Sequence, residues 1–264
     1  MIPFKRKYKH IFWLVPLVLL YRYDLLFFPE KMDERVGEVF LMHLFGGSYN
    51  MDKANLTISV VGLFGIVFLS LLFADYVVCD LKEHAEYIFP RYRERKKWYL
   101  KKLGGLFAYC NLGIFLYLLF YIGNALWESE RQIEKEDILI ILCTYLMLLL
   151  FTYCIIVSIN FVSLFFDTTI GFIICYSVIV ISSMEVITIQ GMENSQLAEI
   201  LHKLNPMSNV LVSWNFNNAH IRWGIIYYVL FAIGISLLLW RKVKNYEIGL
   251  SLKNKYRKRI ITNG

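Results

Sequence analysis

The chain has little charge for a protein of its length, and this scarcity is the first constraint on its class. Only 19% of the 264 residues are charged and 58% are hydrophobic, whereas about a quarter of a soluble globular chain is charged. Prolines number five, and no low-complexity linker separates a second domain. A soluble domain of this size needs more polar surface, so the composition predicts a single polytopic membrane domain over residues 1–264.

Sequence motifs for several common chemistries are also absent. The chain contains no GxxxxGK[ST] phosphate loop, no HExxH or GxSxG motif, no TVGYG filter, and no histidines at metal-ligand spacing. The five cysteines lie in or beside apolar runs without a CxxC pair, which favours small hydrophobic core residues over disulfides or a zinc site. The sequence therefore predicts no catalytic centre, bound cofactor or metal in this chain.

Long apolar runs predict an all-α fold with six transmembrane helices. The runs lie at 11–28, 55–77, 104–126, 138–165, 169–188 and 224–241. Each is close to the ~20 residues that cross ~30 Å of hydrocarbon. No small-residue cleavage site follows the first run, so we expect a retained anchor. The fourth and fifth runs are so close together that a tight turn must join them, with Asp167 or Thr168 as the helix N-cap.

Lysine and arginine are concentrated beside one set of span ends. The segments 1–10, 78–103 and 242–264 hold most of them. The opposite loops hold few: Lys31, Arg35, Lys53, Arg131, Lys135, Lys203 and Arg222. By the positive-inside rule, both termini are predicted to be cytosolic. Because the basic residues flank apolar runs rather than a soluble face, nucleic-acid binding is not predicted.

The basic segment 78–103 between spans two and three is the first candidate for function. It predicts a short amphipathic helix near 81–89 and then, after Pro90, a basic helix that leads into span three. The residues at the spacing of one helical face are Leu81, Ala85, Ile88 and Tyr92. Such a segment can simply hold topology and contact anionic lipid. Alternatively, it is a cytosolic docking element for a partner protein.

The outer side of the predicted membrane domain offers two further candidates. In the loop 189–223, an amphipathic stretch at 196–204 ends at Asn205-Pro206 and an apolar piece follows at 210–214. This pattern predicts a short helical hairpin that enters the outer leaflet, or a plain extracellular loop with one helix. Charges inside spans usually face a bundle interior or a watery cavity, so Glu185, Asp24 and Arg22 are candidate residues of a substrate path. Arg22 and Asp24 can alternatively extend to the outer interface.

This layout resembles the permease subunits of ABC-2-type exporters, above all the small permeases of Gram-positive bacteria linked to peptide export, bacteriocin immunity or antimicrobial-peptide resistance. The similar features are a basic N-terminus at 1–10, six spans, a cytosolic helical segment at 80–102 and a hairpin-like element at 196–214. The motifs that carry the resemblance are RYRERKKWYLKK at 91–102 and LNPMSN at 204–209. Within the first motif the key residues are Arg91, Arg95, Lys97, Trp98 and Lys101.

The resemblance implies a multi-pass protein of the bacterial plasma membrane that exports a peptide or an amphiphilic, lipid-like substrate. A separate cytosolic ATPase would bind ATP and Mg²⁺, and a second permease, identical or different, would pair with this chain among membrane lipids. The implied ATPase-coupling residues are Leu81, Glu83, Ala85, Glu86, Tyr87, Ile88, Phe89, Arg91 and Arg95. The implied interface anchors are Trp98, Tyr99 and Trp240.

Two other classes of protein fit the same sequence. One is a membrane-embedded sensor or assembly protein without transport, whose basic segment binds a cytosolic regulatory partner. The other is an intramembrane enzyme, although no catalytic motif supports it. Retention of an ATPase by the solubilised chain distinguishes the permease from the sensor or assembly protein. For the enzyme, alanine at Glu185, Asp24 and the loop histidines should abolish turnover of a lipid or peptide substrate.

Overall fold

Helices make up the regular secondary structure, with no strand among the described residues. The computed structural model describes residues 33–45, 64–83, 85, 89, 94–190, 200–201, 203–210 and 218–246. In chain order the helices are α1 (Val36–Phe45), α2 (Phe64–Phe73), α3 (Val78–Glu83), α4 (Arg95–Glu128), α5 (Lys135–Ser163), α6 (Thr168–Gln190), α7 (Pro206–Val210) and α8 (Asn218–Lys244). The all-α prediction is therefore confirmed for this part of the chain.

Four of these helices are long and apolar enough to cross a membrane. The stretches are Arg95–Glu128, Lys135–Ser163, Thr168–Glu185 and Ile221–Lys244, and they correspond to predicted spans three to six. They contain between 18 and 34 residues, against the ~20 that a bilayer requires. These helices are those of a membrane protein. Predicted span one and the first part of predicted span two lie outside the described residues.

The bundle is arranged around α5. In the most apolar part of α5, 67% of the residues are buried, against 28% in α4 and 17% in both α6 and α8. Helices α4, α6 and α8 all pack on α5, and they expose large apolar side chains such as Leu112, Ile173 and Leu230. Because exposed leucine and isoleucine are unfavourable in water, these faces suit hydrocarbon.

A four-residue turn joins α5 to α6, as the sequence predicts. Asp167 occupies the position before α6, and its backbone carbonyl accepts the Gly171 N–H at 3.0 Å. Gly171 allows the two helices to approach closely, because a Cβ there would lie 2.4 Å from Ser163 Oγ and 3.1 Å from the Ile159 carbonyl oxygen. The short turn and this glycine together hold α6 against α5.

The end of predicted span two differs from the structure. Hydropathy extends the span to residue 77, but α2 ends at Phe73, residues 74–77 form a turn, and α3 begins at Val78. The sequence of the turn, ADYV, contains neither proline nor glycine. The cause of the interruption is a contact with α5, described below.

Helix α1 lies where an extracellular loop was expected. It packs against α4 and α5, and its ten residues extend only about 15 Å. A helix of that length is half of a span, so a search for apolar runs of ~20 residues overlooks it. Its buried residues are Val36, Gly37, Val39, Phe40, Leu41, Leu44 and Phe45.

Buried Asp137 connects α1 to the start of α5. One carboxylate oxygen accepts the Gly37 N–H at 3.2 Å, and the other accepts the Glu134 N–H at 2.9 Å. Arg35 Nε lies 3.6 Å from the same carboxylate, while Arg35 Nη2 donates to Glu136 at 2.7 Å. The hydrogen bond with Glu136 raises the pKa of Arg35, so the guanidinium remains charged beside Asp137.

Further polar contacts connect the α1 region to the end of α4. His43 Nε2 lies 2.6 Å from a Glu128 carboxylate oxygen, and both side chains are mostly buried. Arg131 Nε donates to Asp33 at 3.0 Å, and this hydrogen bond, followed by the charge of Arg131, lowers the pKa of the Asp33 carboxyl. The α1 region is therefore attached at both of its ends, to residues far away in sequence.

We expect Asp137→Ala to lower the thermal unfolding midpoint of the detergent-solubilised protein by several degrees. The substitution removes the acceptor of the Gly37 N–H and a carboxylate beside Arg35, and leaving a buried N–H unsatisfied costs about 1–3 kcal/mol. Glu130→Ala removes an equal charge from an exposed position in the loop between α4 and α5. The unfolding midpoint of this control variant should stay unchanged. Equal midpoints for the two variants would contradict the assigned role of Asp137.

Candidate functional site: the segment between α2 and α4

Asn160 of α5 holds the interruption between α2 and α3. Its side chain is fully buried. Its Oδ1 accepts the N–H groups of Val77 at 2.8 Å and Val78 at 3.4 Å, and its Nδ2 donates to the carbonyls of Phe73 at 3.0 Å and Ile156 at 2.9 Å. A helix end leaves carbonyls unpaired and a helix start leaves N–H groups unpaired. A primary amide pairs with both kinds of group, so Asn160 stabilises the end of α2 and the start of α3 together.

An ion pair joins α3 to the first turns of α4. Lys102 Nζ lies 2.5 Å from a carboxylate oxygen of Asp80, and the two side chains are 23% and 11% exposed. The same ammonium group lies 4.4 Å from the centre of the Tyr76 ring, which adds a cation–π contact. Tyr76 packs edge-on against Phe73 and Tyr109. A movement of α3 relative to α4 must therefore separate partly buried charges.

Arg95 connects the segment to the end of α8. Its guanidinium carbon lies 4.5 Å from the centre of the Phe89 ring. Its Nη1 donates to the backbone carbonyls of Lys244 at 2.9 Å and Tyr246 at 3.1 Å. A cation is favourable there because the C-terminal end of a helix carries unpaired carbonyls and partial negative charge. Phe89 also packs edge-to-face on Trp98 of α4.

The predicted ATPase-coupling residues fall into three groups: buried residues of the segment, Arg95, and residues outside the described part of the chain. Leu81, Ala85 and Phe89 are buried, and their i, i+4, i+8 spacing places them on one face of a helix. These three side chains pack against the bundle, and their part in coupling to an ATPase stays a prediction. Arg95 is bound to α8, as described above. The other predicted coupling residues, or their side chains, lie outside the described part of the chain: Glu83, Glu86, Tyr87, Ile88 and Arg91.

The predicted interface anchors pack within the protein. Trp98 and Tyr99 are each 3% exposed. The Tyr99 ring lies 5.3 Å from that of Trp240, and the Tyr99 hydroxyl donates to the Ser236 carbonyl at 2.5 Å. These contacts fix the start of α4 against the end of α8. The level of the three rings relative to a membrane stays a prediction.

Of the predicted substrate-path residues, the structure describes only Glu185. Glu185 is exposed on α6, and its carboxylate is 3.4 Å from Asn205 Nδ2. Arg22 and Asp24 lie outside the described residues. A substrate path along these three residues stays a prediction.

The described part of the predicted hairpin consists of the helical residues 200–201 and 203–204, then Asn205 and helix α7. Asn205 is the N-cap of α7, because Asn205 Oδ1 accepts the N–H groups of Met207 at 2.8 Å and Ser208 at 3.2 Å. Pro206 begins the helix, where its missing N–H is not needed, and its carbonyl accepts the Tyr228 hydroxyl of α8. The predicted break at residues 205–206 is thus a helix start, while the apolar piece expected at 210–214 lies mostly outside the described residues.

Metal chemistry and similarity to known proteins give no further indication of function. Within the described ranges, no group of three or more His, Cys, Asp or Glu side chains is placed to hold a metal ion. The sequence matches no known family model, and it is not significantly similar to any curated protein or solved structure. The attached segment between α2 and α4 is therefore the basis for inferring a function.

We expect Asn160→Leu to loosen this segment specifically. The substitution leaves the Val77 N–H without its partner and removes one of the two donors to the Phe73 carbonyl, which keeps only the Tyr76 N–H. A buried unsatisfied group costs about 1–3 kcal/mol. Amide hydrogen exchange should accelerate in residues 74–83 more than in α4 or α8.

The matched control for Asn160→Leu is Thr144→Val. The Thr144 hydroxyl is also buried in α5 but donates only to Ile140 of its own helix, so this variant should leave exchange in residues 74–83 unchanged. Uniform acceleration throughout the protein in Asn160→Leu would show that Asn160 supports general stability only.

Proposed function

We propose that the chain is the permease subunit of an ABC-2-type exporter, which moves a peptide or an amphiphilic, lipid-like substrate with a separate cytosolic ATPase. The observation that supports this proposal is a short segment attached to the spanning helices at three points. These points are the Asn160 amide, the Asp80–Lys102 ion pair and the contacts of Phe89 with Arg95 and Trp98 of α4. A permease without its own ATP site needs such an element, because ATPase closure must reach the spans as a displacement that a loose loop would absorb.

The attached face of the segment also suggests where the ATPase would bind. Leu81, Ala85 and Phe89 face the bundle. By helical spacing, Glu83, Glu86 and Tyr87 fall on the opposite side of the predicted helix over 81–89. We propose that these three residues contact the ATPase, and that two permease subunits, identical or different, pair in the membrane.

The distribution of charge supports an orientation with both termini in the cytosol of a bacterial cell. The start of α4 and the end of α8 lie side by side, because Arg95 and Tyr99 contact α8. Exposed basic side chains are concentrated there: Lys96, Lys97, Lys101, Arg241, Lys242 and Lys244. By the positive-inside rule, this end of the bundle would face the cytosol.

Co-purification tests the proposed function. The tagged chain, extracted from its own membranes, should retain an ATPase with a phosphate-binding loop and should stimulate its ATP hydrolysis. The double substitution Glu86→Ala/Tyr87→Ala should release the ATPase while membrane insertion and the unfolding midpoint stay unchanged. Ile133→Ala, which alters an exposed side chain at the other end of the bundle, should retain the ATPase.

Failure to retain any ATPase, together with no stimulation of one by the purified chain, would reject the permease. Regulatory proteins retained in its place would favour a sensor or assembly protein. Loss of membrane insertion in Glu86→Ala/Tyr87→Ala would mean that the segment only maintains topology.

Cysteine labelling tests the orientation. In a background without the five natural cysteines, Ile133→Cys should react with a membrane-impermeant maleimide in intact cells. Glu94→Cys should react only after the cells are opened. Both positions are exposed, so access depends on the side of the membrane. The reverse labelling pattern would overturn the proposed orientation.

A further inference from the structure

The turn between α5 and α6 exposes two aromatic side chains. Phe165 is 52% exposed and Phe166 is 51% exposed. The turn is only four residues long, so both rings stay at the level where the two spanning helices end. Phe165 also packs edge-on against Phe161 of α5, with 5.4 Å between ring centres. Exposed phenylalanine rings at such a level suit the boundary between lipid headgroups and acyl chains.

Two lysines from distant parts of the chain meet at these rings. Lys242, near the end of α8, places its ammonium group 4.4 Å from the centre of the Phe165 ring. Lys82 of α3 donates to the Phe166 carbonyl at 2.9 Å. Arg241 adds an exposed cation next to Lys242, and Asp167 is the acidic residue of the turn itself. Among the residues that the structure describes, cationic groups therefore outnumber acidic ones around the two exposed rings.

Exposed apolar side chains continue from this surface along the spanning helices. On α8, Leu237 and Leu238 are 61% and 50% exposed. They lie one helical turn before Arg241 and Lys242, on the same faces of the helix. On α6, Ile170 and Ile173 are exposed directly after the turn. A cationic level followed by an apolar one is the profile of a phospholipid, with its phosphate above its acyl chains.

We infer that this surface is a binding site for the headgroup phosphate of anionic phospholipids. We call it the basic rim and define it by Lys82, Phe165, Phe166, Arg241 and Lys242. An acidic protein could pair with the cations, but it would not contact the apolar side chains that continue into the spans. The inference concerns the chain alone and does not depend on the proposed ATPase partner.

Binding of a fluorescent phosphatidylglycerol to the full-length chain in detergent tests the inference, with an equally labelled phosphatidylcholine as the neutral probe. We expect phosphatidylglycerol to bind more tightly, with a preference that weakens as salt is added. A lysine near an anionic surface contributes about 1 kcal/mol, which is about fivefold in affinity. Lys82→Gln/Lys242→Gln should therefore weaken phosphatidylglycerol binding by about 25-fold.

Three other variants separate the basic rim from a diffuse positive charge. Lys82→Arg/Lys242→Arg keeps both charges and should keep the affinity, which also guards against misfolding of the glutamine variant. Lys96→Gln/Lys97→Gln removes two exposed lysines from the same end of the bundle, and Lys135→Gln/Arg222→Gln removes two cations from the other end. Neither should weaken binding by more than about twofold, because these cations do not belong to the basic rim and add only to the overall positive charge.

Three results would overturn the inference. The first is equal binding of the two lipids, and the second is an equal loss of affinity in the Lys96/Lys97 variant. The third is displacement of the lipid by excess inorganic phosphate, which would indicate a site for free phosphate. Loss of a co-purifying protein in Lys82→Gln/Lys242→Gln with unchanged lipid affinity would assign the surface to a protein partner, and this too would overturn the inference.

Discussion

The side-chain amide of Asn160 is the interaction on which the arrangement of α2, α3 and α4 depends. An interruption of a helix inside a membrane protein leaves N–H and carbonyl groups that no water can satisfy, and such groups are expensive in an apolar environment. Asn160 pairs with these groups on both sides of the interruption. Because Asn160 belongs to the central helix, the segment after α2 takes its position from α5. The same position brings Asp80 of α3 to Lys102 of α4.

A buried polar side chain also holds a neighbouring segment at the other end of α5. Asp137 lies near the start of the helix and pairs with the backbone of α1 and with Arg35, whereas Asn160 lies near its end. Both buried polar residues hold a segment from the first third of the chain. In a membrane the hydrophobic effect does not drive helices together, so packing and specific polar contacts decide which segments meet. The polar contacts of Asp137 and Asn160 therefore determine which segments pack at the two ends of α5, although the helix is apolar over most of its length.

Helix α3 lies between the two surfaces for which we propose functions. Asp80 pairs with α4 inside the segment that would receive the ATPase, while Lys82 reaches the turn that carries the basic rim. Only one residue separates Asp80 from Lys82, so a displacement of α3 would change the contacts with the spanning helices and with headgroups together. In the proposed exporter, lipid composition would therefore influence how readily the segment moves.

Local sequence was sufficient for those parts of the fold that depend on local chemistry. Runs of apolar residues determined spans three to six, the turn at 164–167 followed from the short gap between two runs, and Asn205-Pro206 marked a helix start. Tertiary structure alone decided that α2 ends at Phe73, that α1 is buried, and that Leu81, Ala85 and Phe89 face the bundle. It also decided that Lys82 and Lys242 meet at one turn. The reason is that hydropathy reports how well a residue suits apolar surroundings and does not distinguish lipid from protein, while a polar side chain such as Asn160 acquires its role from partners far away in the sequence.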